Sequence, residues 1–251
     1  MGGAGGAAPA LVDRSLVVRY YVDEAASAQG PSELLDAAPN PLNLGLTYSP
    51  QLSFTTVSPN RGLHWTAASS AGDARATITG TKFHNLLHGS TTATIEAVVD
   101  VAAVGGGNCH ITTVGPGGNA GDLSLHTTND TSVRLSWHSA TNIGTWTVPI
   151  TTSGRVVLHA VLDTTEPSTA DRTKLYVDGE AAVLTSGTQP ALNATVDLTP
   201  STTFVIGNGV GTSTLSIGGT IFYVAYYAGA LSEQEVATNI KLLAVSDDSP
   251  P

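Results

Sequence analysis

An all-β fold, with two antiparallel sheets packed face to face, is what three features of this 251-residue sequence predict. Short runs rich in Val, Ile and Thr recur along it, divided by clusters of Gly, Asn, Asp and Pro. Several runs alternate apolar and polar residues with period two, the pattern of a strand that buries one face. The one good helix signal lies near the C-terminal end.

Strands are expected at Leu16–Val22, Thr92–Val101, His110–Val114, Asp122–His126, Ser132–His138, Gly144–Ile150, Arg155–Asp163, Lys174–Val177, Glu180–Leu184, Thr202–Ile206 and Gly219–Tyr227. Residues 25–62, interrupted by Pro31, Pro39, Pro41, Pro50 and Pro59, read as a meandering loop with short edge strands. Leu123, Leu125, Val133, Leu135 and Trp137 fall on one face of a hairpin turning at Asn129-Asp130. Ser124, His126, Arg134, Ser136 and His138 fall on the other, expected to be wet. Asp178-Gly179 between β-prone runs predicts a two-residue type I′ turn, since both positions need positive φ. In the closing strand, period two places Phe222 with Tyr226 and Tyr223 with Tyr227. Ser232 as N-cap and Glu235 three residues on predict a capping box. The stripe Val236, Ile240, Leu243 then predicts a helix of about three turns docked on the sandwich edge.

Ten Lys and Arg against twenty Asp and Glu give a net charge of −10, which repels nucleic-acid backbones and anionic lipid. No apolar run is long enough to span a bilayer as a helix. A single cysteine, Cys109, excludes an intrachain disulfide and reads as a small buried strand residue. The opening MGGAGGAAPA has no basic n-region or apolar h-region and is not a signal peptide. Residues 1–13 are expected to form a flexible Gly/Ala lead, 14–245 one domain, and 246–251 a frayed tail.

Four stretches carry a family resemblance: LVVRYYVDE (Leu16–Glu24), TATIEAVVDV (Thr92–Val101), the strands running into KLYVDG (Lys174–Gly179), and GTIFYVAYYAGALSEQEV (Gly219–Val236). Their order and spacing resemble the laminin-G-like jelly roll of the concanavalin-A-like lectin and glucanase superfamily. That resemblance implies an all-β antiparallel two-sheet jelly-roll sandwich with one short C-terminal helix. It also implies an extracellular or cell-surface setting, glycan or protein partners, and in many members calcium. Phe222 stands where many members carry an acidic residue, which argues against calcium here.

Several constellations bear on chemistry. Asp36, Asn40 and Asn43 share one loop with oxygen donors of the kind calcium takes, against ordinary Asx turns. His84 and His88 stand four apart, and His126, His138 and His110 suggest a zinc cluster, against hydrogen-bonded strand histidines. A glycan site needs an aromatic ring plus polar groups, for which His126, Arg134, Ser136, His138 and Trp65 are the candidates. Trp137 and Trp146 alternate with apolar residues and read as core. Glu96 and Asp100 lie about 13 Å apart along one strand face, beyond the spacing of a glycosidase pair. The sequence therefore reads as a non-catalytic binding module for a glycan or protein surface, with no required cofactor. The alternatives are a structural subunit or homo-oligomer and, less favoured, a carbohydrate-active hydrolase.

Overall fold

The computed structural model describes residues 10–24, 30–55, 61–115, 123–128, 132–137, 143–147 (by their backbone), 150, 154–198, 203–211 and 214–248. Their strands form two antiparallel sheets. The first runs β14 (Glu180–Ala181), β13 (Thr173–Val177), β12 (Arg155–Asp163), β7 (Thr92–Ala103), β17 (Gly218–Tyr227), β5 (Gly62–Trp65) and β4 (Leu52–Thr55), with β1 (Leu16–Tyr20) also beside β17. The second runs β15 (Leu184–Gly187), β11 (Ile143–Thr147), β10 (Ser132–Trp137), β9 (Leu123–Thr127), β8 (Cys109–Gly115), β16 (Thr203–Ile206), β6 (Asp73–Thr77), β3 (Leu44–Thr47) and β2 (Glu33–Leu34). The Pro-rich stretch thus supplies short strands toward one end of each sheet.

Period two sorts the side chains. Ile95, Ala97 and Val99 of β7 and Leu158 and Leu162 of β12 share one core with Ile111, Leu125, Leu135 and Trp137 from the second sheet. Val98, Val157 and Val161 point the other way, so the first sheet is apolar on both faces. That second face must also be covered. Helix α2 (Glu233–Leu243) covers it, burying Val236 and Leu243 against these valines, Tyr223 and Tyr227. The helix therefore docks on a sheet face, not on the sandwich edge. Its start is as expected: Ser232 Oγ accepts from the Glu235 amide, and the Glu235 carboxylate accepts from the Ser232 amide at 2.8 Å. Arg14 Nε donates to Glu235 at 2.8 Å, and this bond pulls the carboxyl down to about 2.

The closing strand corrects a second expectation. Its register against β7 slips between Ile221 and Tyr223. A bulge there adds one residue and breaks strict alternation. Phe222 joins Tyr223, Ala225 and Tyr227 in the cluster under α2, while Tyr226 enters the inter-sheet core beside Phe83 and Phe204. The Asp178-Gly179 turn has φ of 49° and 91°, as its type requires. The run after it divides, with Glu180–Ala181 staying in the first sheet and Leu184–Gly187 joining the second.

Trp65 is a core residue. It is fully buried, and its Nε1 donates to the Gly72 carbonyl at 3.2 Å. Its ring lies against Gly207, whose φ is +89°; a Cβ there would lie 2.1 Å from the indole. Gly207→Ala combines a strained backbone with overpacking, and a loss of about 2 kcal/mol is expected in urea unfolding. A change under about 0.5 kcal/mol would show that the indole moves freely.

Candidate functional site

The hairpin register agrees with the alternation: Arg134 pairs His126, and Ser136 pairs Ser124. The polar face is not wet, however. Ser124, His126 and Ser136 are buried, Arg134 is half-buried, and His138 lies outside the described residues. Neighbouring Thr113 and Val205 on adjacent strands are buried too, so this face is enclosed. Alternation reports polarity, and here polarity does not mean solvent.

His110 pairs His126 across β8 and β9, with ring centroids 5.1 Å apart. Ser124 Oγ meets His126 Nδ1 at 3.3 Å, whereas His126 Nε2 and both His110 nitrogens have no hydrogen-bond partner. Burial holds His110 down at about 4 and His126 well below the usual imidazole value, so both are neutral at pH 7.

The Asp36–Asn43 loop is a structural staple. Asp36 Oδ1 accepts from the amides of Arg19 and Ala38, and Oδ2 accepts from the Leu42 amide and lies 2.7 Å from the Lys82 ammonium. The four acceptor directions of the carboxylate are filled, with Lys82 in the place a cation would take. Asn43 accepts from the Asp36 amide and donates to Glu33, and Asn40 adopts the positive φ of a turn residue. His84 and His88 stack on helix α1 (Lys82–Leu87), where His88 Nδ1 accepts from the Leu198 amide. Among the described residues, no three His, Cys, Asp or Glu come together as metal ligands.

Glu96 lies beneath α2, fully buried. The register aligns His159, Glu96, Ala225 and Arg19 on four neighbouring strands, and the small Ala225 leaves room between the two charges. Glu96 Oε1 accepts from His159 Nε2 at 2.5 Å and Asn239 Nδ2 at 2.8 Å, and Oε2 accepts from the Tyr223 and Tyr227 hydroxyls at 2.9 Å. Arg19 donates to both phenols, at 2.9 and 3.1 Å. Burial pushes the Glu96 carboxyl up; His159 and the other donors outweigh it, and the net direction is down. No substrate reaches this carboxylate, which removes Glu96–Asp100 as a catalytic pair.

The open concavity lies elsewhere. A cavity of about 630 Å³ opens where β13 and β15 bring the two sheets' margins together, beside the turn Thr169–Asp171 and the start of α2. Leu175, Ala181 and Leu184 give it apolar walls, and the Tyr176 ring, Lys174 and Glu233 line it as well. Thr173, also in its lining, is 6% exposed, and its Oγ1 has no hydrogen-bond partner. Gln189 Nε2 donates to the Thr173 carbonyl at 3.3 Å, leaving Gln189 Oε1 buried and unpartnered in the same wall. Two of the unpartnered buried polar atoms among the described residues thus belong to residues of this wall. Burial raises the Tyr176 phenol; Lys174 opposes this, and Glu233 and Asp171 reinforce it. KLYVDG marked a hairpin in the sequence, but no sequence signal joined Gln189 or Glu233 to it.

No family model matches the chain, and no curated protein does. Solved structures do. A Trypanosoma rangeli sialidase in complex with sialic acid aligns with TM-score 0.64 at 18% identity, over 100% of this chain and 36% of the sialidase. The binding domain of botulinum neurotoxin DC aligns at TM-score 0.62 and 11% identity in complex with SialylT, and at 0.63 and 9% in complex with rat synaptotagmin II. Both alignments to the toxin domain cover 91% of this chain and 52% of that one. The chain thus spans about a third to a half of these proteins and shares their β-sandwich fold.

Proposed function

We propose that this chain is a non-catalytic binding module that recognises a glycan through the edge cavity at Tyr176, as a laminin-G-like jelly roll working outside the cell or at its surface. The observation that carries this reading is the cavity itself: apolar walls, an aromatic ring, and Thr173 and Gln189 as uncharged polar residues in its lining. Its volume lies in the range of small-ligand sites, and hydroxyl-rich ligands supply both donors and acceptors. The sandwich likeness to a toxin domain solved with SialylT supports it. The same domain solved with synaptotagmin II favours a protein surface as the second reading.

Binding is proposed to need no metal, since Lys82 occupies the loop that offered calcium ligands. A glycan array run with and without EDTA tests both points. Hits that survive chelation and weaken about tenfold or more in Thr173→Val, with its melting temperature held within a few degrees, are the expected result. Hits lost in EDTA would overturn the metal-free reading. A reducing-sugar assay that releases product would overturn the non-catalytic one. A blank array with folded protein would move the assignment to a protein partner or a homo-oligomer, which sedimentation distinguishes.

A further inference from the structure

Beside the cavity of 630 Å³ lies a second of about 240 Å³, and Lys174, Tyr176 and Glu233 line both. The two adjoin along these shared residues. A ligand that fills only one leaves the other to water, whereas a chain of two or more sugar residues spans both.

The two cavities differ in charge. Asp163, Glu166, Asp171 and Glu233 line the smaller one, against the single ammonium of Lys174. That ammonium is already engaged, 3.6 Å from Asp171 and 3.8 Å from Glu233. Arg172 is close in sequence but lines neither cavity; its guanidinium donates to the carbonyls of Glu166, Pro167 and Pro190. Asp163 accepts from the Thr165 amide and hydroxyl and lines the smaller cavity as well. The larger cavity has Thr173 and Gln189 as uncharged polar residues in its lining, which suit a hydroxyl-bearing ligand. Carboxylates within a few ångströms repel an anionic ligand, and low dielectric near the wall strengthens the effect.

On the reading that this cavity binds glycans, we infer that the ligand is an uncharged oligosaccharide of at least two residues that bridges both cavities, and that acidic sugars are rejected at the smaller one. The sialic acid and SialylT of the solved complexes belong to those proteins. The charge of this site selects in the opposite sense.

The test uses the full chain on an array of matched oligosaccharides, each printed at one, two and three residues, with and without a terminal sialic acid. Neutral chains are expected to bind at least tenfold more tightly than their sialylated partners. Affinity is expected to rise from one residue to two, and the discrimination to narrow as salt rises from 0.05 to about 0.5 M. The double variant Glu166→Gln, Glu233→Gln is expected to raise sialylated binding relative to neutral binding, narrowing the discrimination between them. Equal or tighter binding of sialylated chains by the wild-type protein overturns the inference while leaving a glycan-binding module in place. Equal binding of one- and two-residue neutral chains overturns the two-subsite part. A blank array overturns the underlying reading itself.

Discussion

Glu96→Ala is expected to cost about 3–5 kcal/mol, because removing one member of a buried charge network leaves the others without a partner. The substitution deserts His159 Nε2, Asn239 Nδ2 and two tyrosine hydroxyls at once, and leaves Arg19 buried with no carboxylate behind its phenols. At about 2–4 °C per kcal/mol for a chain of this size, the melting temperature should fall by about 10 °C or more. Glu96→Gln keeps the shape but turns an amide donor toward other donors, so an intermediate loss is expected. Asp100→Ala, half-buried on the same strand, is the control and should cost under about 1 kcal/mol. Urea unfolding of the three variants decides the matter. A Glu96→Ala protein within 1 kcal/mol of wild type would mean that the network is dispensable.

The second large effect is in acid. His110 sits at about 4 in the folded protein against about 6.5 unfolded, so between those values the unfolded chain binds the extra proton and stability falls with falling pH. The full loss is about 3 kcal/mol, complete near pH 4. Asp247 works against it: burial raises its carboxyl to about 6, so the folded chain takes up a proton there and gains stability as pH falls through the same range. Asp247 offsets part of the acid loss in the wild-type curve, to which His126, also held down by burial, adds, and the difference from His110→Leu reports the removal of this imidazole. That variant should be close to wild type at pH 7, where it removes two unpartnered ring nitrogens, and more stable by about 3 kcal/mol at pH 4. Parallel stability curves from pH 7 to pH 4 would show that His110 gains a partner on folding.

Features encoded within a few residues were legible in the sequence. The Ser232–Glu235 capping box, the Asp178-Gly179 turn and the β9–β10 register depend on near neighbours, and each appears where the sequence put it. Features assembled across the chain were not. Trp65 lies in the short strand β5, which the sequence pattern did not show, and the glycine that receives its ring lies in a distant segment. The network around Glu96 was not legible because its partners stand 63, 127, 131 and 143 residues away. One signal was available: a carboxylate at the centre of TATIEAVVDV, a strand apolar on both faces there, has to be buried and paired. The edge cavity escaped for the same reason, since Thr173, Gln189 and Glu233 come from three separate elements.

Val12 and Arg19 are tied to residues far along the chain. Val12 N donates to Asn239 Oδ1, 227 residues on, and Arg19 reaches phenols 204 and 208 residues later. β1 has no partner until β17 exists, and the face of the first sheet has no cover until α2 does. During synthesis, β1 must wait for β17 and α2, with apolar strands exposed in the meantime. Shortening this chain by its final helix should therefore release a nascent polypeptide that chaperones retain, rather than a smaller sandwich.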